Sequence, residues 1–385
     1  MGYVNIWLVI CVVGIICEYN PFHNGHLYHI NRVKEMFPDS KIVLIMSGNF
    51  LQRGDISVIN KWDKTKIALD YGVSLVVELP FVFASQGADI FAHGAIQILN
   101  NLGVEKLVFG SECNDIELLK GLASIQINNN NYDDIVLKYL NLGYNYPTSM
   151  SLALEDISNT TISSPNDILG LCYVKEIMLM HSRIEPFTIK RTSDYHGEGL
   201  GTICSATAIR RAIKDGKDIT GFVPSMSLEY INNVCTDDLF KFFKYKVMTS
   251  DISNIQTVDL CIIPRIIKNI NCNNMEEFIK CVKTKRYTYN RIKRMIIHIL
   301  CNFTKEEARI NSDIHYIRIL GFDSYGRKYL SSIKKKCKVP IISNFSGIKD
   351  SMLDIEYRST CVYSLLFDKG NDIIQSEYKN KPIIK

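Results

Sequence analysis

The stretch VVGIICEYNPFHNGH, Val12 to His26, decides the fold. Its first part, Val12–Cys17, is a short Val/Ile-rich run that ends in polar residues, the pattern of a buried parallel strand. Pro21 stops that strand, and His23-Asn24-Gly25-His26 opens a helix. A helix that begins just past a parallel strand aims backbone N–H groups and its positive end at one spot, so a phosphate is the expected guest. Gly25 has no side chain to keep a nucleotide from the backbone. His23 and His26 lie three apart on the first turn, where each imidazole can donate to phosphate oxygens as negative charge builds in a transition state. Two other readings compete: a pair of surface histidines at a helix start, and a zinc site on His23, His26 and His29, which lacks a fourth ligand nearby.

Outward from this stretch the alternation repeats. Lys41–Met46, Ser74–Leu79, Lys106–Phe109 and Ile184–Lys190 read as strands, and His26–Met36, Asn60–Tyr71, Ile90–Asn101 and Thr207–Lys214 as helices. Residues 111–185 read as mainly helical, with Asn128–Asn131 as a polar loop. Such alternation predicts βαβ units and a parallel sheet, whose ligands bind beyond the carboxyl ends of the strands. The loops after the strands therefore carry the candidate site. After the second strand, Ser47, Gly48, Asn49, Gln52 and Arg53 form a candidate substrate loop, with a surface turn as the alternative. Gly110, after the fourth strand, leaves room for a nucleotide against the backbone. In Cys204–Arg210 (CSATAIR), Ser205 and Thr207 offer hydroxyls at a helix start and Arg210 adds a forked cation, which suits the β- and γ-phosphates. An ordinary N-cap is the competing reading. No GxSxG elbow surrounds Ser205, which argues against a nucleophilic serine.

At 385 residues, with 46% apolar and 22% charged residues, the chain has the composition of a globular protein of two to three domains, which argues against a disordered or fibrous one. Its net charge of +5 is unevenly spread: residues 1–225 carry −5 and residues 226–385 carry +10. With a boundary at Gly221–Pro224, residues 1–224 read as the α/β part and residues 225–385 as a basic, mostly helical domain for a polyanion. Nucleic acid is the first candidate and an anionic membrane surface the second. Lys280–Arg294 concentrates seven basic residues around Tyr287 and Tyr289. Lys283, Lys285, Arg286, Arg291, Lys293 and Arg294 can neutralise phosphates while the tyrosines stack on bases, although a charge run also reads as a solvated helix face. Lys334–Lys336 and Lys338 add to the charge. The twelve cysteines include no CxxC, and Cys11, Cys172, Cys261 and Cys301 sit in apolar runs, so they read as buried small hydrophobes in a reducing compartment. The apolar run Ile6–Cys17 follows no basic residue, precedes no cleavage site and falls short of the ~20 residues that span a bilayer. A soluble, cytoplasmic protein without a membrane partner is expected.

The HxGH string in this position resembles the class I nucleotidyltransferase superfamily, and CSATAIR resembles its SSTxIR-type phosphate loop. The resemblance implies a Rossmann-like nucleotidyltransferase sheet and attack on the α-phosphate of ATP. Pyrophosphate leaves, the paired histidines steady the phosphate, and Mg2+ usually assists. The strings EYNPFHNGHLYH, MSGNFLQRG, VVELPF, FGSE, SPNDILG, IKR and SATAIR, continued by KTKRYTYNRIKR and YIRILGF, resemble the tRNA(Met) cytidine acetate ligase family across the chain. That family activates acetate as acetyl-adenylate and transfers the acetyl group to N4 of the wobble cytidine of elongator tRNA(Met). By resemblance, the catalytic residues are His23, His26, Ser205, Thr207 and Arg210, with no protein-held metal. The ATP contacts implied are Ile16, Cys17, Glu18, Tyr19, Asn20, Pro21, Phe22, His23, Asn24, Gly25, His26, Leu27, Tyr28, His29, Gly110, Asn166 and Arg191. Asn166 also reads as a helix N-cap after Pro165. Thr192-Ser193-Asp194 departs from the family's more glycine-rich stretch before Tyr195-His196, which leaves the role of His196 open, and Met1–Leu8 is extra. Two other functions share these phosphate motifs. An adenylyltransferase making a cofactor precursor would not need the long basic part. A non-catalytic RNA-binding protein would not need HNGH and SATAIR intact.

Overall fold

The structure, a computed structural model, describes residues 11–191, 204–232 and 234–385. Thr192–Asp194, His196 and the first residues of the chain, where the extension was expected, lie outside the described residues.

Five parallel strands form the frame: β1 (Val12–Cys17), β2 (Lys41–Ser47), β3 (Leu75–Leu79), β4 (Lys106–Ser111) and β5 (Glu185–Lys190). Their spatial order is β5-β4-β1-β2-β3. The chain therefore reverses direction across the sheet between β1 and β4, which opens a crevice beyond their carboxyl ends. Alternate residues of β1 serve opposite cores. Val12 and Ile16 join one cluster with Val43, Ile45, Leu75 and Leu107, under the helices Ala88–Leu102 and Pro165–Leu179. Val13 and Ile15 join another with Leu44, Met46 and Val76, under the helices Asn24–Met36 and Lys61–Asp70. Helices cover both faces, which is why the strands read as continuous apolar runs.

Residues 225–385 are mostly helical, as expected, but they do not all stand apart from the sheet. Helices between Thr236 and Leu300 do pack around a core of their own, built on Phe240, Phe243, Phe278, Ile292 and Met295. The chain then returns to the sheet. Strand β6 (Ile317–Phe322) pairs antiparallel with β3, and β7 (Ile341–Ile342) and β8 (Ile383–Ile384) pair with β6. An uncovered β3 edge would expose unpaired backbone groups, and β6 closes it. The pairing places Arg318, fully buried at the second position of β6, between Glu78 of β3 and Glu377 at 2.8 and 2.6 Å.

The cysteines are less uniformly buried than expected. Cys172 and Cys301 are buried and Cys11 is half-buried, but Cys261 is exposed beside the equally exposed Leu260. Among the described residues no helix is long and apolar enough to cross a membrane.

Candidate active site

The HNGH turn is built by the histidines themselves. His23 is the N-cap of the helix Asn24–Met36, and its Nδ1 accepts from the Gly25 N–H at 3.0 Å. His26 reaches back, its Nδ1 accepting from the His23 N–H at 3.2 Å. This is a capping box in imidazole form. A backbone N–H only donates, so both Nδ1 atoms are bare, and each neutral ring carries its proton on Nε2. The rings lie side by side, centroids 3.9 Å apart. Burial, with Arg191 and Arg210 nearby, lowers the pKa of His23 to about 3. Burial also holds His26 well below the ordinary histidine value. The pair is thus neutral at working pH, with two Nε2–H donors. His29 serves the framework instead. Its Nε2 donates to the Val108 carbonyl at 3.2 Å, tying the helix to β4, and burial lowers its pKa to about 4.

Other members of the expected ATP segment support the turn. Tyr19 and Phe22 are buried in edge-to-face contact at 4.8 Å, and Tyr19 packs against the His26 ring at 4.7 Å. They make the floor under the imidazoles. Asn20 donates from Nδ2 to Ile56 O and accepts the Val58 N–H. Asn24 ties the helix start to the Gly221–Phe222 turn through its backbone N–H and its amide. Burial pushes the Cys17 thiol up to about 12 and raises Glu18, whose Oε1 accepts the Gln52 N–H at 2.7 Å.

At the ends of β1 and β2 stands a residue the sequence reading missed. Lys64 is fully buried and donates to three carbonyls, Glu18 O at 3.0 Å and Ser47 O and Gly48 O at 2.8 Å. Burial brings its pKa down to about 7. It stitches the HNGH loop to the candidate substrate loop. A hint lay in the spacing: Lys61, Lys64 and Ala68 share one face of the helix Lys61–Asp70, and all are buried. The substrate loop is no surface turn at its start, since Ser47 and Asn49 are buried, and Asn49 donates to Thr360 at 3.3 Å. At its end Gly54 takes a left-handed φ of 72°, and a Cβ there would stand 2.5 Å from the Arg294 nitrogen. The loop is thus clamped against the helix Tyr289–Leu300.

Beyond β4, Asp167 was also missed. It is buried and accepts from the Ser111 hydroxyl at 2.6 Å and from the Glu112 and Cys113 N–H groups, which fixes the loop after the strand. Its place in the first turn of a helix led by Ser164-Pro165 was the available hint. Asn166 is not the N-cap; Ser164 is, and the Asn166 amide bonds Glu112. Arg191 lies half-exposed beside Glu112, and a Cβ on Gly110 would stand 3.0 Å from its Cγ. Gly110, Asn166 and Arg191 therefore meet at one mouth, on the crevice between β1 and β4.

The second motif closes the site from the other side. Ser205 is the N-cap of the helix Ala206–Lys214, its Oγ accepting from the Ala208 N–H at 3.2 Å. The N-cap reading thus holds, and the hydroxyl proton is left to donate elsewhere. Arg210 donates to Asn20 O at 2.8 Å, to Thr207 Oγ1 at 3.3 Å and to Asp55 Oδ2 at 3.1 Å. Its contact with Asn20 brings the two motifs together.

A strand, a helix start and a phosphate-type loop arranged in this way have counterparts in known proteins. Residues 10–377 match the HIGH Nucleotidyl Transferase family. The tRNA(Met) cytidine acetate ligase of Caldicellulosiruptor saccharolyticus is 40% identical over 96% of this chain and 98% of its own. That of Clostridium perfringens is 38% identical over 97% and 99%. The chain belongs to the tRNA(Met) cytidine acetate ligase family. The crystal structure of Thermotoga maritima TmcAL bound with alpha-thio ATP superposes with a TM-score of 0.88 at 31% identity, covering 97% of this chain and 99% of that one.

For a tRNA(Met) cytidine acetate ligase, the basic segment 280–294 is unevenly available. Lys283, Lys285 and Arg286 are exposed or half-exposed. Lys285 lies over the Tyr144 ring at 3.3 Å. Arg291 pairs with Asp259 at 2.8 Å, and Lys293 pairs with Asp55. Arg294 is turned inward, donating to Gln52 O at 3.1 Å, and burial lowers its pKa to about 10. It braces the substrate loop rather than facing solvent. Tyr287 is buried with its hydroxyl on Asp259, so its ring is not open for base stacking, and the Tyr289 hydroxyl bonds Glu276.

Proposed function

We propose that this protein activates acetate with ATP and transfers the acetyl group to N4 of the wobble cytidine of elongator tRNA(Met). The observation that carries the reading is the pair His23 and His26, neutral and with Nδ1 occupied, so that both Nε2–H groups are left to donate. A neutral donor can grip an α-phosphate oxygen as the phosphorus becomes crowded, and it needs no proton transfer to do so. In the first step an acetate oxygen bonds to the α-phosphorus and the bond to the β-phosphate oxygen breaks, releasing pyrophosphate. Arg210, with the Thr207 and Ser205 hydroxyls, receives the pyrophosphate charge. Gly110, Asn166 and Arg191 hold the nucleotide at the β4 end. In the second step the cytidine amine attacks the acetyl carbon, a proton leaves the nitrogen, and AMP departs. No covalent enzyme intermediate is required. The names of the family relatives support the acetate and tRNA(Met) assignments, and the basic part, residues 225–385, supplies the tRNA surface. The cytoplasm, where tRNA is modified, is the expected compartment.

Mg2+ accompanies ATP in this reading. Among the described residues no group of three or more His, Cys, Asp or Glu side chains could cage a metal. An ion that came with ATP would need no such cage, because Mg2+ is commonly held by substrate phosphates and water, and it would supply charge neutralisation at the phosphates; no residue is assigned to it.

The test is acetate-dependent exchange of labelled pyrophosphate into ATP, with and without tRNA. Exchange that requires acetate establishes the adenylate. Its absence under both conditions, with exchange driven instead by a nucleotide or pantetheine substrate, overturns the reading.

A further inference from the structure

The helix Thr236–Thr249 carries aromatic rings on two sides, and only one side has a structural reason. Phe240 and Phe243 point inward and pack on Phe278 at 5.7 and 5.0 Å. Phe242, Tyr245 and Met248 point outward, and Tyr245 and Met248 are 67% and 61% exposed. At 100° per residue the three span about a third of the helix circumference, a ridge over two turns with Tyr245 at its centre. Single exposed apolar groups are ordinary, but a contiguous ridge calls for a partner.

The surrounding charge says which partner. Lys241 projects between Tyr245 and Met248 on the helical wheel, and Lys246 projects on the Phe242 side. Among the described residues neither lysine forms an ion pair, while Lys244, on the inner side, is committed to the Cys272 carbonyl at 2.7 Å. Asp238, one turn earlier, marks the N-terminal limit of the ridge. Open ring faces between free cations are what a single strand of nucleic acid needs: bases stack on the rings and phosphates meet the lysines. The tyrosines of the basic segment cannot serve in the same way. Arg291 already covers Tyr287 at 4.7 Å, and Lys293 lies over Tyr289 at 5.7 Å. No ring or cation contact of this kind involves Phe242 or Tyr245 among the described residues. The helix also packs on Tyr289–Leu300, the helix that bears Lys293 at the edge of the active site.

We infer that the ridge of Phe242, Tyr245 and Met248, flanked by Lys241 and Lys246, stacks unpaired bases of the tRNA. The inference rests on the tRNA reading above and names, within the basic part, the side chains that meet the bases. Bases in a tRNA loop can splay out onto such rings, whereas paired bases cannot.

The experiment titrates fluorescent elongator tRNA(Met) against the full-length protein at several salt concentrations, with pyrophosphate exchange measured alongside. Replacing Phe242→Ala and Tyr245→Ala together weakens tRNA binding by about tenfold or more. Tyr245→Trp keeps the affinity and Tyr245→Leu does not, which separates stacking from simple apolar contact. Lys241→Gln with Lys246→Gln lowers the slope of log affinity against log salt by about 1.4, since each lysine contributes about one phosphate contact on a single strand. The ring variants leave that slope unchanged. Acetate-dependent exchange without tRNA is unchanged in all of them. A wild-type protein that exchanges pyrophosphate but binds no tRNA sinks the tRNA reading itself. Wild-type affinity in the double alanine variant overturns the ridge alone. So does a double variant whose only change is loss of self-association on sedimentation, which would make the face an interface between copies.

Discussion

Arg210 and Lys293 share one carboxylate: Asp55 holds Arg210 through Oδ2 at 3.1 Å and Lys293 through Oδ1. Arg210 belongs to the CSATAIR motif and Lys293 to the basic segment, so the residue just after the candidate substrate loop joins the two halves of the proposed reaction. The groups are mostly buried, which screens them little from one another. Asp55→Asn leaves both cations without their countercharge and frees the Arg210 fork to drift. The expected result is a roughly tenfold rise in the KM for pyrophosphate in the exchange reaction. A stability loss of about 1.5–3 kcal/mol in urea unfolding accompanies it, the usual worth of a charged hydrogen bond. Unchanged exchange kinetics would show that Arg210 is positioned by Asn20 and Thr207 alone.

The imidazole capping box gives His23 two roles that one substitution can separate. Asparagine is among the best N-caps and can accept from the Gly25 N–H, but it does not carry a donor to the place of Nε2. His23→Asn therefore folds with nearly unchanged stability and loses exchange activity by about 10²–10³-fold. His23→Ala loses the same activity and about 1 kcal/mol of stability besides. If both variants lose stability and activity equally, the histidine is structural.

Five buried ions join β3, β6 and the C-terminal helices. Lys61 meets Glu356 at 3.1 Å and Glu377 at 2.7 Å and also touches Glu78, while Arg318 holds Glu78 and Glu377. Three carboxylates face two cations, and the excess falls on Glu356, whose pKa burial and the neighbouring Glu78 raise to about 7. Glu356→Gln should then cost only about 1–2 kcal/mol, since the amide oxygen can keep one of the Phe81 N–H and Lys61 contacts while its NH2 faces the other donor. Lys61→Met leaves the carboxylates unbalanced and costs about 3–5 kcal/mol. Denaturant unfolding of the two variants measures the difference, and equal losses would refute this charge assignment.

His298 pins the helical part to the β3 loop. Its Nδ1 lies 3.1 Å from Gln256 O and from the Thr257 hydroxyl, and its Nε2 lies 3.0 Å from Ser85 O and 3.1 Å from the Ser85 hydroxyl, so a neutral ring donates to a carbonyl on one side and accepts a hydroxyl on the other. Burial, assisted by Arg294, lowers its pKa to about 4. The folded state therefore binds this proton less readily than the unfolded chain, whose histidine titrates near 6.5. Its stabilising share is complete above about pH 6.5 and is lost as pH falls towards 4. His298→Gln should reduce the slope of stability against pH in that window by about one proton. An unaltered slope would mean the ring is protonated in the fold.

Much of the site was legible because it is local. In β1, Pro21 and the two histidines of HNGH the pattern is set by neighbours within a few positions, so spacing alone exposed the strand, the helix start and the paired imidazoles. Ser205 as an N-cap was legible for the same reason. Asp55, Lys64 and Asp167 were not. Each works through partners far along the chain; the spacing of Lys61, Lys64 and Ala68 hints at burial, but not that the Lys64 ammonium ends among three carbonyls. Arg294 misled in the opposite direction, because a charge run shows how many cations there are and not which of them turn inward.

By itself the sequence determined the parallel sheet over residues 12–190 and the strand, turn and helix start around HNGH, since these follow from periodicity and from residues adjacent in the chain; the family was legible only through the resemblance of its motifs. The return of residues 317–384 to the sheet was decided only by tertiary structure. So were the buried ions that anchor it, the Asp55 bridge and the choice of which aromatic rings face solvent. These depend on where distant segments meet. Burial there decides whether a charge is paired and whether a ring is open, and neither property belongs to a residue until its neighbours are in place.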